Sequence, residues 1–367
     1  MRYLFVVQGE GRGHFTQTLS MKAMLEQNGH EVVAVMVGCS PKRKLPGFFS
    51  QKINTEIIRF QSPNFLPTPK GKGSPLLISI LYNLLFLPVY IQSIFRIYLT
   101  IRNKKPDVVI NFYELLCGIT YGVFAPKVPM INVAHQYFFL TPAFKYSGDK
   151  QFQFRLLNFF SQLTAINSHK ILALSFRPTP FSNYGKISIV PPLLREEVLH
   201  YKPSKGNYIH GYMLNVGYVT ELETWCKWNL TQSLHFFWDK KNAALEESPV
   251  PNLTLHRLSD TLFLQYMAGC KAYATTGGFE SVCEAMYLQK PVLMVPTHIE
   301  QECNVIDALC SEAGVGADYF NLDLLLHFAK DYKTTNEFRY WVHTANSIFL
   351  YELTRLYPQN SEILVAL

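Results

Sequence analysis

The chain has 367 residues, of which 48% are hydrophobic and 17% charged. That composition excludes a disordered chain and leaves room for about two domains. The formal net charge of +7 is mild; it favours an anionic ligand or a membrane surface, and the basic residues are not interleaved with any nucleic-acid-binding motif, so nucleic acid is not an expected partner.

Arg2–Gln8 reads as a buried strand that begins directly after Met1. The apolar run Tyr3–Val7 is too short for a signal peptide, and a cytoplasmic location is expected. The seven scattered cysteines have no C-x-x-C spacing, which argues for reduced thiols rather than disulfides or zinc. Gly9-Glu10-Gly11-Arg12-Gly13-His14 follows as a glycine loop. Phe15–Gln27 has helical periodicity through Leu19, Ala23 and Leu25, and stops at Asn28-Gly29. Glu31–Val37 is the next strand, which makes a βαβ start and a parallel sheet. The loop glycines fall at G-x-G-x-G rather than G-x-G-x-x-G. Val35-Met36-Val37-Gly38 lacks the acid that would hold a dinucleotide ribose, which counts against NAD.

Leu76–Ile101 is the most apolar segment and is long enough to span a bilayer. Asn83, Pro88, Gln92 and Arg96 argue against spanning. Lys70 and Lys72 precede it, and Arg102, Lys104 and Lys105 follow it. Two readings stay open: a helical hairpin lying on an acidic leaflet through 70–105, or core helices covering the sheet. Further strands are expected at Asp107–Asn111, Met130–Ala134, Lys170–Ser175 and Ile187–Val190, with His135-Gln136-Tyr137 just past a strand end. Pro191–Gly206, with its Lys202–Gly206 patch, reads as a linker. A second βα series starts there: Tyr208–Val216, Leu234–Trp238, Leu253–His256, Lys271–Thr275 and Val292–Val295. Helices at Leu322–Asp331 and Asn336–Leu356 close the chain. The expected fold class is α/β, with two Rossmann-like domains.

The most informative block is Ala274-Thr275-Thr276-Gly277-Gly278-Phe279-Glu280-Ser281, running on through Glu284 to Lys290–Pro296 and Glu300-Gln301. It reads strand, glycine turn, helix, strand, polar loop. Free backbone N–H groups and a helix N-terminus at a sheet edge suit a diphosphate. Glu284, further into the helix, can accept hydrogen bonds from ribose hydroxyls. Glu300 and Gln301, read as the end of the next strand, can hold sugar hydroxyls. Diphosphate, ribose and sugar together describe a nucleotide-sugar.

This block resembles the donor-binding region of GT-B glycosyltransferases, the group that holds the UDP-glycosyltransferases and the lipid-linked GlcNAc transferase of peptidoglycan synthesis. The matching residues are Gly277, Gly278, Ser281, Glu284, Pro291, Pro296, Glu300, Gln301 and Asn304; Thr276 stands where many relatives have His. The resemblance implies two Rossmann-like domains with parallel sheets facing a central cleft. It places an acceptor domain at 1–195, a nucleotide-sugar domain at 207–335, and a C-terminal helix at 336–367 that returns to the first domain. It implies donor contacts from Thr276, Gly277, Gly278, Phe279, Ser281, Glu284, Glu300 and Gln301. Gly13-His14 matches the Gly-His pair that faces the acceptor in these relatives.

An acceptor hydroxyl must lose its proton as it attacks, and an imidazole titrating near neutrality suits that task, so His14 is the expected general base. The plainer reading is a helix-capping or loop-bound His14. Gly11, Gly13 and His135 are expected on the acceptor side. The expected reaction is transfer from a UDP-sugar to a hydroxyl acceptor, lipid-linked in one version, probing the inner face of the membrane as a peripheral protein. It is expected to invert in one displacement and to use no cofactor; no Asp-x-Asp motif ends a strand, so this reading requires no metal. Two alternatives stand beside it: a nucleotide-sugar 2-epimerase of the same fold, and a degenerate protein that only binds donor. Retention of both His14 and Glu284 argues against the second.

Overall fold

The computed structural model describes residues 1–41, 43–64, 82–213, 216–238 and 243–355. Lys70, Lys72, the first part of the apolar stretch 76–101 and the chain beyond 355 lie outside the described residues.

The first half runs β1 (Arg2–Gln8), α1 (Arg12–Gln27), β2 (Glu31–Cys39), α2 (Gly47–Lys52), β3 (Ile57–Gln61), α3 (Leu87–Lys104), β4 (Val108–Phe112), α4 (Leu115–Phe124) and β5 (Met130–Ala134). A 3-10 helix (His135–Leu140), α5 (Gln151–Thr164), β6 (Lys170–Leu174), β7 (Asn183–Tyr184), β8 (Ile187–Val190) and α6 (Glu196–His200) complete it. Its strands form one sheet in the order β3-β2-β1-β4-β5-β6-β8-β7, parallel except for the edge strand β7. Every residue of β4 and β5 is buried. Such unbroken apolar runs are what a parallel sheet covered on both faces requires.

The second half runs β9 (Tyr208–Met213), α7 (Val219–Trp228), β10 (Ser233–Trp238), β11 (Glu246–Val250), β12 (Leu253–Arg257), α8 (Asp260–Gly269), β13 (Ala272–Thr275) and α9 (Phe279–Tyr287). It continues with β14 (Val292–Met294), α10 (Ile299–Leu309), β15 (Gly314–Gly316), α11 (Leu322–Asp331), α12 (Glu337–His343) and α13 (Ala345–Thr354). The sheet order is β11-β12-β10-β9-β13-β14-β15, antiparallel only between β11 and β12. In each sheet the strand order reverses direction beside the first strand: at β1/β4 in one and at β9/β13 in the other. Ligands of open α/β sheets bind at the carboxyl ends of strands at such points.

Several boundaries differ from the sequence reading. The helix α1 starts at Arg12, so Gly13 and His14 occupy its first turn rather than a loop. The edge strands β3, β7, β11 and β15 were not expected; they are short or polar, and β11 (EESPV) carries two acids and a proline. The single helix expected from Asn336 breaks at Thr344. Its N–H is shared between Tyr340 O and Trp341 O, and its hydroxyl donates to Trp341 O at 2.7 Å. A hydroxyl that bonds back to the preceding turn competes with the helical ladder. Helices α12 and α13 lie against the first sheet: Trp341 Nε1 donates to Ser175 O at 3.0 Å, and Glu352 accepts from Ser188 Oγ and pairs with Lys170.

Helix α3 resolves the apolar stretch into two faces. Tyr90, Ser93, Ile97 and Ile101 are buried in the core formed with β1, β2 and β4. Leu87, Ile91, Phe95 and Leu99 are exposed on the other side. No helix among the described residues is long and apolar enough to cross a membrane.

Candidate active site at the interdomain crevice

The glycine turn leaves β13 at Thr275. Gly277 has φ +81, a left-handed conformation, and a Cβ there would stand 3.1 Å from Val305 Cγ2. Both facts favour glycine. Gly278 then caps α9 without any side-chain hydrogen bond, so the cap residue itself does not occupy the first-turn N–H groups. Asn304 Nδ2 donates to Gly277 O at 3.0 Å and fixes the turn from α10. Ser281 Oγ donates to Gly278 O at 3.2 Å.

Glu300 and Gln301 are not at a strand end. They stand in the first turn of α10, because β14 stops at Met294 and the chain reaches the helix through 295–298. Gln301 Oε1 accepts from Thr297 N at 2.9 Å and Thr297 Oγ1 at 2.7 Å, while its Nε2 reaches Thr276 Oγ1 at 3.4 Å. Glu300 accepts from Gln136 Nε2 of the first domain at 2.9 Å. Glu284 is buried, and Arg195 of the linker binds it bidentately, Nε to Oε1 at 2.6 Å and Nη2 to Oε2 at 3.0 Å. The Phe279 ring stacks on His135 across the crevice, centroids 3.9 Å apart, with Phe176 beside both.

From the first domain, Gly11 caps α1 without a side-chain bond. A Cβ on Gly13 would lie 3.6 Å from Glu280 Cβ, so the opening turns of α1 and α9 meet. His14 is half-buried and lies parallel to Tyr113, centroids 6.0 Å apart. Its Nδ1 is buried and finds no hydrogen-bond partner among the described residues. Burial lowers its pKa; the Glu300 carboxylate and Gln17 push it back up. His14 therefore stands neutral at pH 7 with an acid of the opposite domain near it. His135 opens the 3-10 helix after β5 and is enclosed by Phe138, Phe139, Phe176 and Phe279. Its Nδ1 bonds Leu174 O at 2.7 Å, and burial lowers its pKa to about 3.

Four further residues in or near the crevice were not singled out from the sequence. Glu280 accepts from Gln17 Nε2 at 3.2 Å, and burial together with Glu284 pushes its pKa up to about 8. Glu114, two residues past β4 and the N-cap of α4, is fully buried; Ser62 Oγ and Leu116 N donate to its Oε1, and burial raises its pKa to about 7. A Cβ on Gly38, the second-to-last residue of β2, would be 2.5 Å from Glu114 Oε2, so only glycine leaves room for the buried carboxyl. Arg195 carried no motif; its place beside Glu284 arises only when the linker folds against α9. Tyr113 holds φ +61, unusual for a bulky residue, and its hydroxyl bonds Ser161 Oγ at 2.7 Å.

No group of three His, Cys, Asp or Glu side chains suited to a metal occurs among the described residues. A separate hollow of about 310 Å³, lined by Tyr121, Lys127, His169 and Lys186, lies at the amino-terminal edge of the first sheet, away from this crevice.

With this geometry in view, the comparisons with known proteins are specific. The family model described as glycosyl transferase family 1 matches residues 1–331. A sequence search of curated proteins finds no match. Among solved structures, the glycotransferase of kitacinnamycin is 14% identical, with a TM-score of 0.64 over 97% of this chain and 99% of its own. UGT89C1 of Arabidopsis thaliana, complexed with quercetin, is 15% identical, with a TM-score of 0.61 over 97% of this chain and 98% of its own; it has also been solved with UDP-L-rhamnose. MurG of Acinetobacter baumannii is 13% identical, with a TM-score of 0.54 over 96% of this chain and 99% of its own. These likenesses agree with the resemblance read from Gly277 through Asn304. The chain belongs to glycosyl transferase family 1 and is a glycosyltransferase of the GT-B architecture.

Proposed function

We propose that the protein transfers a sugar from a UDP-sugar to a hydroxyl acceptor, in one displacement that inverts the anomeric centre. The observation that carries this reading is the meeting of the α1 and α9 opening turns, where Gly13, the neighbour of His14, lies beside Glu280. In the proposal, backbone N–H groups of 276–279 and the α9 dipole receive the diphosphate. Glu284 holds the ribose, and Glu300 and Gln301 hold the sugar. His14 takes the acceptor proton, with Gly11 and Gly13 leaving space beside it. No metal or cofactor has a role in this scheme. UGT89C1, which binds UDP-L-rhamnose, supports a nucleotide-diphosphate donor for the fold.

The acceptor is proposed to be borne by lipid, at the inner face of the membrane. The support is the outward stripe of α3: Leu87, Ile91, Phe95 and Leu99 recur every four residues, and α3 contains Arg96, Arg102 and Lys104 but no acid. A helix apolar on both faces needs a second partner. The deciding experiment incubates the protein with UDP- and GDP-sugars and follows slow hydrolysis of each, alone and with anionic vesicles. Release of UDP from one UDP-sugar is expected; hydrolysis of none, with no UDP binding, overturns the donor assignment. Conversion of the sugar to its 2-epimer, with no acceptor attached, would instead favour an epimerase.

A further inference from the structure

His135 and Asp307 face each other across the seam between the two halves. His135 opens the 3-10 helix after β5, and Asp307 lies in α10. Both are sealed from solvent: the His135 side chain is 2% exposed and the Asp307 side chain 0%. His135 Nδ1 stands 2.7 Å from Leu174 O. A carbonyl can only accept, so Nδ1 carries the hydrogen, and the neutral ring presents a bare lone pair at Nε2. That nitrogen lies 3.7 Å from Asp307 Oδ2. Among the described residues neither atom has a hydrogen-bond partner. The other carboxyl oxygen is engaged: Arg177, in the segment after β6, donates from Nη1 to Oδ1 at 2.5 Å and to Ser311 Oγ at 3.0 Å. Two buried lone pairs left facing each other forfeit the hydration of both groups. One proton between them satisfies both.

We infer, on the donor reading proposed above, that Asp307 is a positioning residue: it shares one proton with His135 across the seam, and through that ring it holds Phe279 at the start of α9. The imidazole lies flat on the Phe279 ring, centroids 3.9 Å apart and planes 15° apart. Phe279 follows directly on Gly277-Gly278, so its ring fixes where the glycine turn ends. An imidazole held at both nitrogens cannot rock; held at Nδ1 alone it can, and Phe279 moves with it. Burial lowers the His135 pKa to about 3 and raises that of Asp307 to about 6 against the pull of Arg177, so the carboxyl carries the proton. Oδ2–H therefore donates to Nε2 as pH falls through about 6, well above the ordinary aspartate range. The charged group against the pair is Arg177. Phe138, Phe139, Phe176 and Phe279 enclose the imidazole. The Cys283 thiol of α9, near Asp307, is pushed well up by burial and stays neutral.

Asp307→Asn is the informative variant. Its Oδ1 can still accept from Arg177, and its Nδ2 can donate to His135 Nε2 at every pH, so it copies the protonated acid permanently. Infrared difference spectra with isotope-labelled aspartate should show the carbonyl band of a neutral carboxylic acid growing as pH falls from about 7 to about 5, and that growth should be missing from Asp307→Asn. Calorimetry with UDP over the same range gives the functional readout. Relative to Asp307→Asn, the wild type should gain roughly two- to ten-fold in UDP affinity as pH falls, the worth of one net hydrogen bond. Taking the ratio cancels the titration of UDP itself. Asp307→Leu, if it folds, should bind UDP more weakly than Asp307→Asn by a similar factor at every pH. Absence of the neutral-acid band, or a wild-type-to-Asn affinity ratio that ignores pH, would overturn the inference while the donor reading stands. A wild type that binds no UDP at any pH overturns the donor reading and the positioning role with it, whatever the infrared band shows.

Discussion

His14 is where the proposed chemistry and the packing of this protein meet. It sits in the first turn of α1, stacked along Tyr113, with a lowered pKa whose main cause is burial. A lowered pKa keeps the imidazole in its basic form at neutral pH, so activity should fall only as pH drops below the ordinary histidine range. General-base assistance contributes about 10²–10⁴-fold; His14→Ala should lower kcat by that factor, leave UDP affinity near wild type, and abolish the acidic limb of the pH–rate profile. Wild-type kcat in the variant would reduce His14 to a structural residue. Glu284 makes a second residue-scale test. If it holds the ribose, Glu284→Gln should weaken both UDP and uridine, roughly ten-fold for the loss of a charged acceptor. Calorimetry showing both affinities unchanged would remove the ribose assignment. Gln301 is already engaged by Thr297 and Thr276. Gln301→Ala should raise KM for the UDP-sugar while the Kd of UDP changes little; parallel changes would mean that the amide maintains the turn.

Two elements carry properties that single residues do not. The outer face of α3 places Leu87, Ile91, Phe95 and Leu99 in one stripe, flanked by Arg102 and Lys105. Burying each large apolar side chain is worth about 1.5–3 kcal/mol, so Ile91→Glu with Phe95→Glu should cut co-sedimentation with anionic vesicles by more than ten-fold. High salt should weaken the wild type as well; wild-type protein that ignores such vesicles at low salt would refute the lipid surface. On the second sheet, β9, β10 and β12 bring His210, His235 and His256 side by side under α8. His235 Nδ1 and His256 Nε2 lie 3.0 Å apart, and His210 packs on Phe237, Phe263 and Tyr273. Burial lowers all three pKa values, to about 4 for His235. Each folded pKa is below the unfolded one, so this stability is complete above about pH 6.5 and is lost as pH falls through the lowered values. A loss of about 1 kcal/mol lowers Tm by roughly 2 °C or less in a cooperative unit of this length. A Tm falling between pH 7 and pH 5, and falling less in His210→Leu, is the expected result of a thermal scan.

At the scale of the molecule, the two sheets share one apolar core. Phe15, Val190, Leu194 and Val198 from the first half join Phe263, Met267, Phe279, Met286 and Phe349 from the second. Polar contacts lace the same seam: Arg12 to Asp260, Gln136 to Glu300, Lys150 to Glu302, and Arg177 to the buried Asp307. Ordinary domain interfaces permit independent motion unless they are large and hydrophobic. Here the continuous core and the return of α12 and α13 to the first sheet predict a single cooperative unfolding transition by calorimetry, with UDP shifting it upward as one peak. Two resolved transitions would show that the halves melt independently.

The order of strands and helices was legible because parallel β-strands buried on both faces leave unbroken apolar runs, as in Val108–Phe112 and Met130–Ala134. The glycine turn was legible because Gly277 adopts a conformation that glycine takes at little cost. Those signals are local. Short edge strands such as Gly314–Gly316 left no mark, since three residues carry no period to read. Nor did any pattern place Arg195 on Glu284, Glu280 against Gln17, or Glu114 beside Gly38. Their burial and charge states follow from contacts between segments that are 89, 263 and 76 positions apart. Residue order alone made legible the two sheets, the glycine turn after β13 and the placing of His14 and Glu284 after the strands that precede them. The tertiary structure alone decided which charges neutralise one another in the crevice, because desolvation and Coulomb energy depend on distances that only the packed chain defines.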